Sequence, residues 1–342
     1  MSRSDNPVPP LLFSDPGTKD AFQFTPTYLF RLYAPVTRGT TNTNEVSSPA
    51  QGSRSRNSDL LGLPRHKAAS LLNAHLRWHC QDPGHEDCNL MSWSSSLLFI
   101  LKLGLYRKAN DHSPRLGLDD LRILIVDTSL FPQGTFIRDM DAIKALKAYS
   151  YGSDGLGAVY KWRTGDYYFG EYLSQGYLDV RGRCAEATVE ELVGGPGPLL
   201  KTLCPRLLDP SVSEKLFAKD IVNIRQGFTD TAMTDIETVV DVVVRVSACF
   251  ENPWRLPVAV MLLSLRHRRH EDVVAILRVI FDEEEINSLR SLEYGVESYM
   301  PQMPELGQYR QVMLELLAAT RRSSQDSSDS DDIASTLSSL TL

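Results

Sequence analysis

The stretch from Tyr167 to Leu178 constrains this chain more than any other. It is a run of Tyr, Phe and Leu with glycines near its ends, Gly165 and Gly176, and one carboxylate inside it, Glu171. Aromatic and aliphatic residues alternating between glycines predict a sheet strand closed by a turn. Glu171 then stands off the sheet. On an edge strand it faces solvent; in a cleft its burial is unfavourable unless the charge is paired or put to use. On this segment alone both readings stand.

The chain has 342 residues, 42% of them hydrophobic, which suffices for a sizeable core and suggests about two domains. Of the formal net charge of -7, four units come from Asp326, Asp329, Asp331 and Asp332, in a tail without Lys or Arg. The remainder is close to balanced, which argues against a nucleic-acid-binding surface. The first 17 residues carry Pro7, Pro9 and Pro10 and no long apolar core, so neither a secretory signal nor a membrane anchor is expected, and no later run is long enough to span a bilayer. Cys80, Cys88, Cys184, Cys204 and Cys249 are odd in number and scattered, which fits reduced thiols and an intracellular, cytoplasmic location.

Tyr28-Leu29-Phe30-Arg31-Leu32-Tyr33 is an aromatic strand pattern that ends at Pro35 and carries one central charge, Arg31. Residues 36–58 are then dominated by Thr, Asn, Ser and Gly and predict a long loop or flexible insert. Between His66 and Cys80, Ala69, Leu72, His75, Leu76 and His79 recur at helical spacing. Leu90 to Ser96 followed by the apolar run Leu97 to Leu105 reads as a short strand entering a helix. Leu121 to Asp127 has the length of a buried strand, and Ala142 to Ala148 reads as a short helix.

Beyond about Leu200 the pattern turns helical. Ser211 with Glu214, and Thr234 with Glu237, match helix-start chemistry. Ile236, Val239, Val240, Val243 and Val246 recur at helical spacing, with a buried strand through Val239 to Val246 as the alternative. A helix start at Asn252-Pro253, an apolar stretch from Val258 to Leu265, an amphipathic Glu271 to Phe281 and a last segment from Leu306 to Ala319 follow. Arg266-His267-Arg268-Arg269-His270 reads as a solvated helix end or connector, diluted by Glu271 and Asp272. The expected plan is α+β: a flexible N-terminus over 1–20, a mixed-sheet domain over 21–200, a helical domain over 205–320, and a disordered Ser/Asp-rich tail over 321–342.

In chain order, an early-strand Arg (Arg31), a Ser-Trp-Ser cluster where a strand meets a helix (Ser92, Trp93, Ser94) and a late-strand Glu (Glu171) resemble the Arg, Ser-x-Ser, Glu order of ADP-ribosyltransferase-like folds of the enterotoxin type. The phrases Phe30-Arg31-Leu32-Tyr33, Ala74-His75-Leu76-Arg77-Trp78, Met91-Ser92-Trp93-Ser94 and Glu171-Tyr172-Leu173 with Gly176 also resemble an uncharacterised fungal domain family. The resemblance covers Phe24 to Val180. It implies a mixed sheet that binds NAD as substrate, with Glu171 stabilising positive charge on the ribose as the nicotinamide bond breaks. It further implies that Arg31 anchors phosphate or ribose, that Ser92, with Ser94 beside it, braces the pocket and orients Glu171, and that Tyr33, Trp93 and Tyr172 offer aromatic faces. The pattern departs from arginine-modifying members at Phe169, which stands where they carry Glu or Gln. That argues against arginine transfer and leaves NAD hydrolysis, another acceptor, or binding without chemistry.

His75, His79, Cys80, His85 and Cys88 are zinc-type ligands, yet their spacing matches no closed finger, and adjacent His79 and Cys80 cannot face one metal from a regular helix. No metal is therefore expected. No Gly-x-Ser-x-Gly elbow occurs, and Gly152 to Gly157 reads as a loop rather than a phosphate cradle. Two functional classes remain: an enzyme cleaving the glycosidic bond of NAD, and an inactive module that acts as an accessory protein, binding partners through its helical half.

Overall fold

Alternation dominates the first half of the chain, and the computed structural model turns it into strands; residues 9–14, 17, 22, 25–52, 58–81, 88–110, 115–193, 199–208, 217–228, 236–287 and 302–318 are described. The strands are β1 (Tyr28–Tyr33), β2 (Thr40–Thr41), β3 (Glu45–Ser47), β4 (Leu90–Ser94), β5 (Arg122–Asp127), β6 (Ile137–Arg138), β7 (Glu171–Gln175), β8 (Tyr177–Asp179) and β9 (Cys184–Thr188). Six of them form one antiparallel sheet in the order β6-β7-β4-β1-β5-β9, and β2-β3-β8 form a second. β1 pairs with β5 along its whole length but registers with β4 at Phe30 opposite Ser94 alone. Arg31 follows at once, where that pairing ends.

Period-two alternation sorts the side chains between the two faces. Leu29, Tyr33, Met91, Trp93, Leu124, Val126 and Tyr172 share one core with Val46 and Leu178 of the small sheet. Leu90, Ile137 and Leu173 lie on the opposite face, in a core with helices α1 (Arg65–Leu76), α3 (Asp139–Leu146) and α4 (Leu156–Arg163). The intervening helix α2 (Leu97–Asn110) packs against β1 in the third and largest core.

That largest core also takes in the second half: α5 (Val189–Val193), α6 (Leu199–Leu203), α7 (Phe217–Gln226), α8 (Ile236–Ser247), α9 (Arg255–Leu263), α10 (His270–Ile280), α11 (Glu283–Asn287) and α12, over residues 304–318. Phe30, Leu98 and Ile125 belong to the same buried cluster as Val242, Val260 and Leu277, so the helices extend the core of the sheet rather than closing a separate one. In α8 the valines are helical: Val239, Val242, Val243 and Val246 bury one face, which excludes the strand alternative. The basic run after α9 is a connector whose Arg268 is buried and donates to the Leu263 and Leu203 carbonyls. Burial lowers its pKa to about 10.

Three expectations need correction. Residues 36–58 are not a shapeless insert throughout, because Glu45–Ser47 pairs with Tyr177–Asp179 through backbone hydrogen bonds, which need no apolar side chains. Tyr167 to Leu178 is not one strand: Gly176, at φ 70°, separates β7 from β8 and sends them to different sheets. Within the N-terminal segment Phe13 is buried, its N–H donating to the Gly134 carbonyl at 2.9 Å. Ser211, Glu214 and Thr234 and the tail over 321–342 lie outside the described residues. Among the described residues no helix is long and apolar enough to cross a membrane.

Candidate functional site

Glu171 opens β7 directly after Gly170, whose φ of 66° is left-handed. A Cβ built on Gly170 would stand 2.2 Å from Ser95 Oγ and 2.8 Å from Met303 Cε, so any other residue at the turn that aims Glu171 must displace both side chains as well as bear the left-handed φ. Across the sheet Ser94 registers with Glu171 and Ser92 with Leu173, so Ser92 and Glu171 share a face. Ser92 Oγ donates to Glu171 Oε1 at 2.8 Å. Arg163, the last residue of α4, donates from Nη2 to Oε2, which gives each carboxylate oxygen a donor.

Glu171 is 9% exposed, so this is a buried carboxylate and not a solvent-facing edge residue. Asp139, fully buried at the start of α3, is the second carboxylate on Arg163, with Oδ2 3.4 Å from Arg163 Nε but outside hydrogen-bonding geometry. Two carboxylates around one guanidinium leave an uncompensated charge. Burial pushes Asp139 up to about 7, Arg163 opposes the rise and Glu171 adds to it. Burial works against the charge on Arg163, but Glu171 and then Asp139 outweigh it and raise its pKa.

On the other side of Ser92 lies His75, whose Nε2 is 2.8 Å from Ser92 Oγ and whose Nδ1 is 3.1 Å from Cys88 Sγ. Cys80 completes a cluster in which the three ligand atoms all lie within 4.8 Å of one another. The Cys88 thiol is held down to about 4, first by its hydrogen bond with Cys80, against burial, and then by His75. The objection to a shared site, that His79 and Cys80 diverge on a regular helix, does not apply. α1 ends at Leu76, Trp78 adopts a left-handed φ of 64°, and Cys80 sits on the 3-10 turn His79–Gln81. His79 is exposed, and His85 lies outside the described residues.

Arg31 joins this cluster along the backbone: Nη1 donates to the Ser92 carbonyl at 2.9 Å and Nε to Thr41 Oγ1 at 3.2 Å. Burial lowers its pKa to about 10. Arg31 is thus held at the backbone of Ser92, whereas it is the Ser92 hydroxyl that meets Glu171. Ser94 has a different task, donating to the Phe169 carbonyl at 2.7 Å and accepting from Ser96 N at 3.0 Å, which shapes the turn into α2 and the approach to Gly170.

Tyr33, Trp93 and Tyr172 do not join Ser92 and Glu171, because they lie on the opposite face of the sheet. Arg31, between Leu29 and Tyr33, belongs by alternation to that same opposite face, and its guanidinium stands 5.9 Å from the Trp93 ring centroid. Trp93 is buried and donates from Nε1 to Ser174 Oγ at 2.8 Å; Tyr33 donates from its hydroxyl to Glu186. Phe169 is buried, stacked on Phe99 with centroids 5.0 Å apart. The helical half packs behind this turn: Arg225 of α7 donates to the Tyr168 carbonyl and pairs with Glu305 of α12, which accepts from Ser96 Oγ at 2.8 Å.

Fold and site together define a mixed α+β protein with an antiparallel sheet and a buried ionic cluster on one of its faces. Residues 24–178, less than half of the chain, match the model of a family described as a domain of unknown function, DUF7587. The matched segment contains every residue of the Arg31, His75, Cys80, Cys88, Ser92, Asp139, Arg163 and Glu171 cluster, and none of α5 to α12. No curated protein matches the chain, and no solved structure does.

Proposed function

We propose that the sheet domain is an ADP-ribosyltransferase-like module that binds NAD and cleaves its nicotinamide–ribose bond. The observation that carries this reading is the hydrogen bond from Ser92 Oγ to Glu171 Oε1, with Arg31 anchored on the same strand through the Ser92 carbonyl. Cleavage sends the electron pair of the glycosidic bond to nicotinamide, and the ribose acquires oxocarbenium character. Glu171 stabilises that positive charge, Ser92 holds the carboxylate in one orientation, and Arg31 presents a guanidinium to the phosphates. Water then adds to the ribose and releases a proton, or another acceptor takes the ADP-ribose. Because Arg163 occupies Glu171 Oε2, substrate binding has to exchange that donor for a ribose hydroxyl.

A second reading, that the module is inactive and serves as an accessory protein, is favoured by one observation: both Glu171 oxygens are engaged and the carboxylate is buried. Nicotinamide release from NAD by the purified chain separates the two. Glu171→Ala leaves Asp139 to compensate Arg163, so the variant is expected to fold and to lose turnover. No release by the wild-type chain, together with no NAD binding by calorimetry, decides for the accessory reading.

A further inference from the structure

We propose that His75, Cys80 and Cys88 form a binding site for a zinc-class divalent cation, seated behind the Ser92–Glu171 pair. The donor set is two sulfurs and one imidazole nitrogen, chemistry that selects zinc and its thiophilic relatives over magnesium or calcium. The ligand atoms all lie within 4.8 Å of one another, with Nδ1 and the Cys88 sulfur 3.1 Å apart. With metal–sulfur bonds of about 2.3 Å and metal–nitrogen bonds of about 2.0 Å, tetrahedral ligands sit roughly 3.5 Å apart, so small side-chain rotations seat an ion. Both cysteines are buried, Cys80 7% and Cys88 3% exposed.

The second observation comes from the other ring nitrogen. A ligating histidine as a rule gives its remaining N–H to a fixed acceptor, which sets its tautomer and angle. Here His75 Nε2 lies 2.8 Å from Ser92 Oγ. Metal on Nδ1 requires the proton on Nε2, so Ser92 accepts from His75 and directs its own hydrogen to Glu171 Oε1. The cation thereby fixes the direction of the whole chain, whatever reaction the carboxylate serves. Three protein ligands leave a fourth position for water or a further donor.

The test uses the full-length chain, stripped with a chelator under reducing conditions and titrated with Co2+ and then Zn2+. One equivalent of Co2+ is expected to produce thiolate-to-metal charge-transfer absorption in the near ultraviolet, abolished by Zn2+, and Zn2+ is expected to raise the Tm of the stripped protein. Cys80→Ser and Cys88→Ser should each lose the band, while exposed His79→Ala should keep it. Because cysteine variants can fail to fold, the wild-type titration decides by itself: a folded, reduced wild-type chain that gives neither band nor Tm shift overturns the proposal. So does a Cys80–Cys88 disulfide, found by mass spectrometry in protein isolated without reductant, in a chain that takes up no metal after reduction. Metal uptake does not require NAD turnover, so this test and that of the proposed reaction fail separately.

Discussion

His75 and Glu171 share one hydroxyl: Ser92 Oγ lies 2.8 Å from His75 Nε2 and donates across 2.8 Å to Glu171 Oε1. A helix residue, a strand residue and the first residue of a neighbouring strand are tied through a single oxygen. Ser92→Ala takes a partner from both a ring nitrogen and a carboxylate oxygen. Leaving buried polar groups unsatisfied costs about 1–3 kcal/mol. Urea unfolding of the variant is expected to show a loss in that range, and an unchanged midpoint would mean that the bridge contributes nothing.

Gly170 carries two burdens, a left-handed φ of 66° and the absence of a Cβ beside Ser95 and Met303. Gly152, at φ 96°, has nothing within 4 Å of its Cβ position. Gly152→Ala therefore reports backbone strain alone, about 1 kcal/mol or somewhat more. Gly170→Ala should be clearly the more destabilising of the two and should also disturb the position of Glu171. Equal losses in thermal unfolding would show that Ser95 and Met303 yield freely.

Asp139 makes stability depend on pH in a stated direction. Its carboxyl stands at about 7 in the folded chain against an ordinary value of 3.8, chiefly through burial. The folded state therefore holds the proton more tightly. Its contribution is fully present below the unfolded value and is lost as pH rises through about 7. Asp139→Asn removes that titration, so the variant should gain stability relative to wild type, on the order of a few kcal/mol, between pH 5 and pH 8. A difference between the two proteins that stays constant over that range would refute the assignment.

Much of this architecture is legible in the residues themselves. Polar Ser92-Trp93-Ser94 followed by the apolar run from Leu97 marks the β4-to-α2 junction, and Ile123 to Val126 marks a buried strand. Of the order Arg31, Ser92, Glu171, the side chains of Ser92 and Glu171 meet in a hydrogen bond, and Arg31 reaches Ser92 at its backbone carbonyl. Pairings across the fold leave no local trace: nothing around Arg163 or Asp139 announces their meeting at Glu171, because it depends on how α3 and α4 pack over β7. The aromatic residues mislead for another reason. Tyr33, Trp93 and Tyr172 adjoin Ser92 and Glu171 in sequence or register, but period two turns them to the other face, the one that also takes the Arg31 guanidinium over Trp93. Cys80 was obscured because no Gly or Pro at Trp78 signals the left-handed turn that ends the helical spacing of His75 and His79.

Arg225 and Glu305 join α7 to α12 as a buried ion pair at 2.6 Å, and Arg225 also donates to the Tyr168 carbonyl two residues before Gly170. Removing one partner strands a charge in a site with side-chain exposures of 5% and 4%. Arg225→Met should therefore cost about 3–5 kcal/mol, and Glu305→Leu a similar amount. With both partners replaced no charge is left stranded, so Arg225→Met/Glu305→Leu should lose less than the sum of the two single losses. The remaining loss reflects the Tyr168 and Ser96 contacts, which the double variant also lacks. Urea unfolding of the four proteins measures this cycle. A strictly additive result would mean that Arg225 and Glu305 contribute to stability independently of each other.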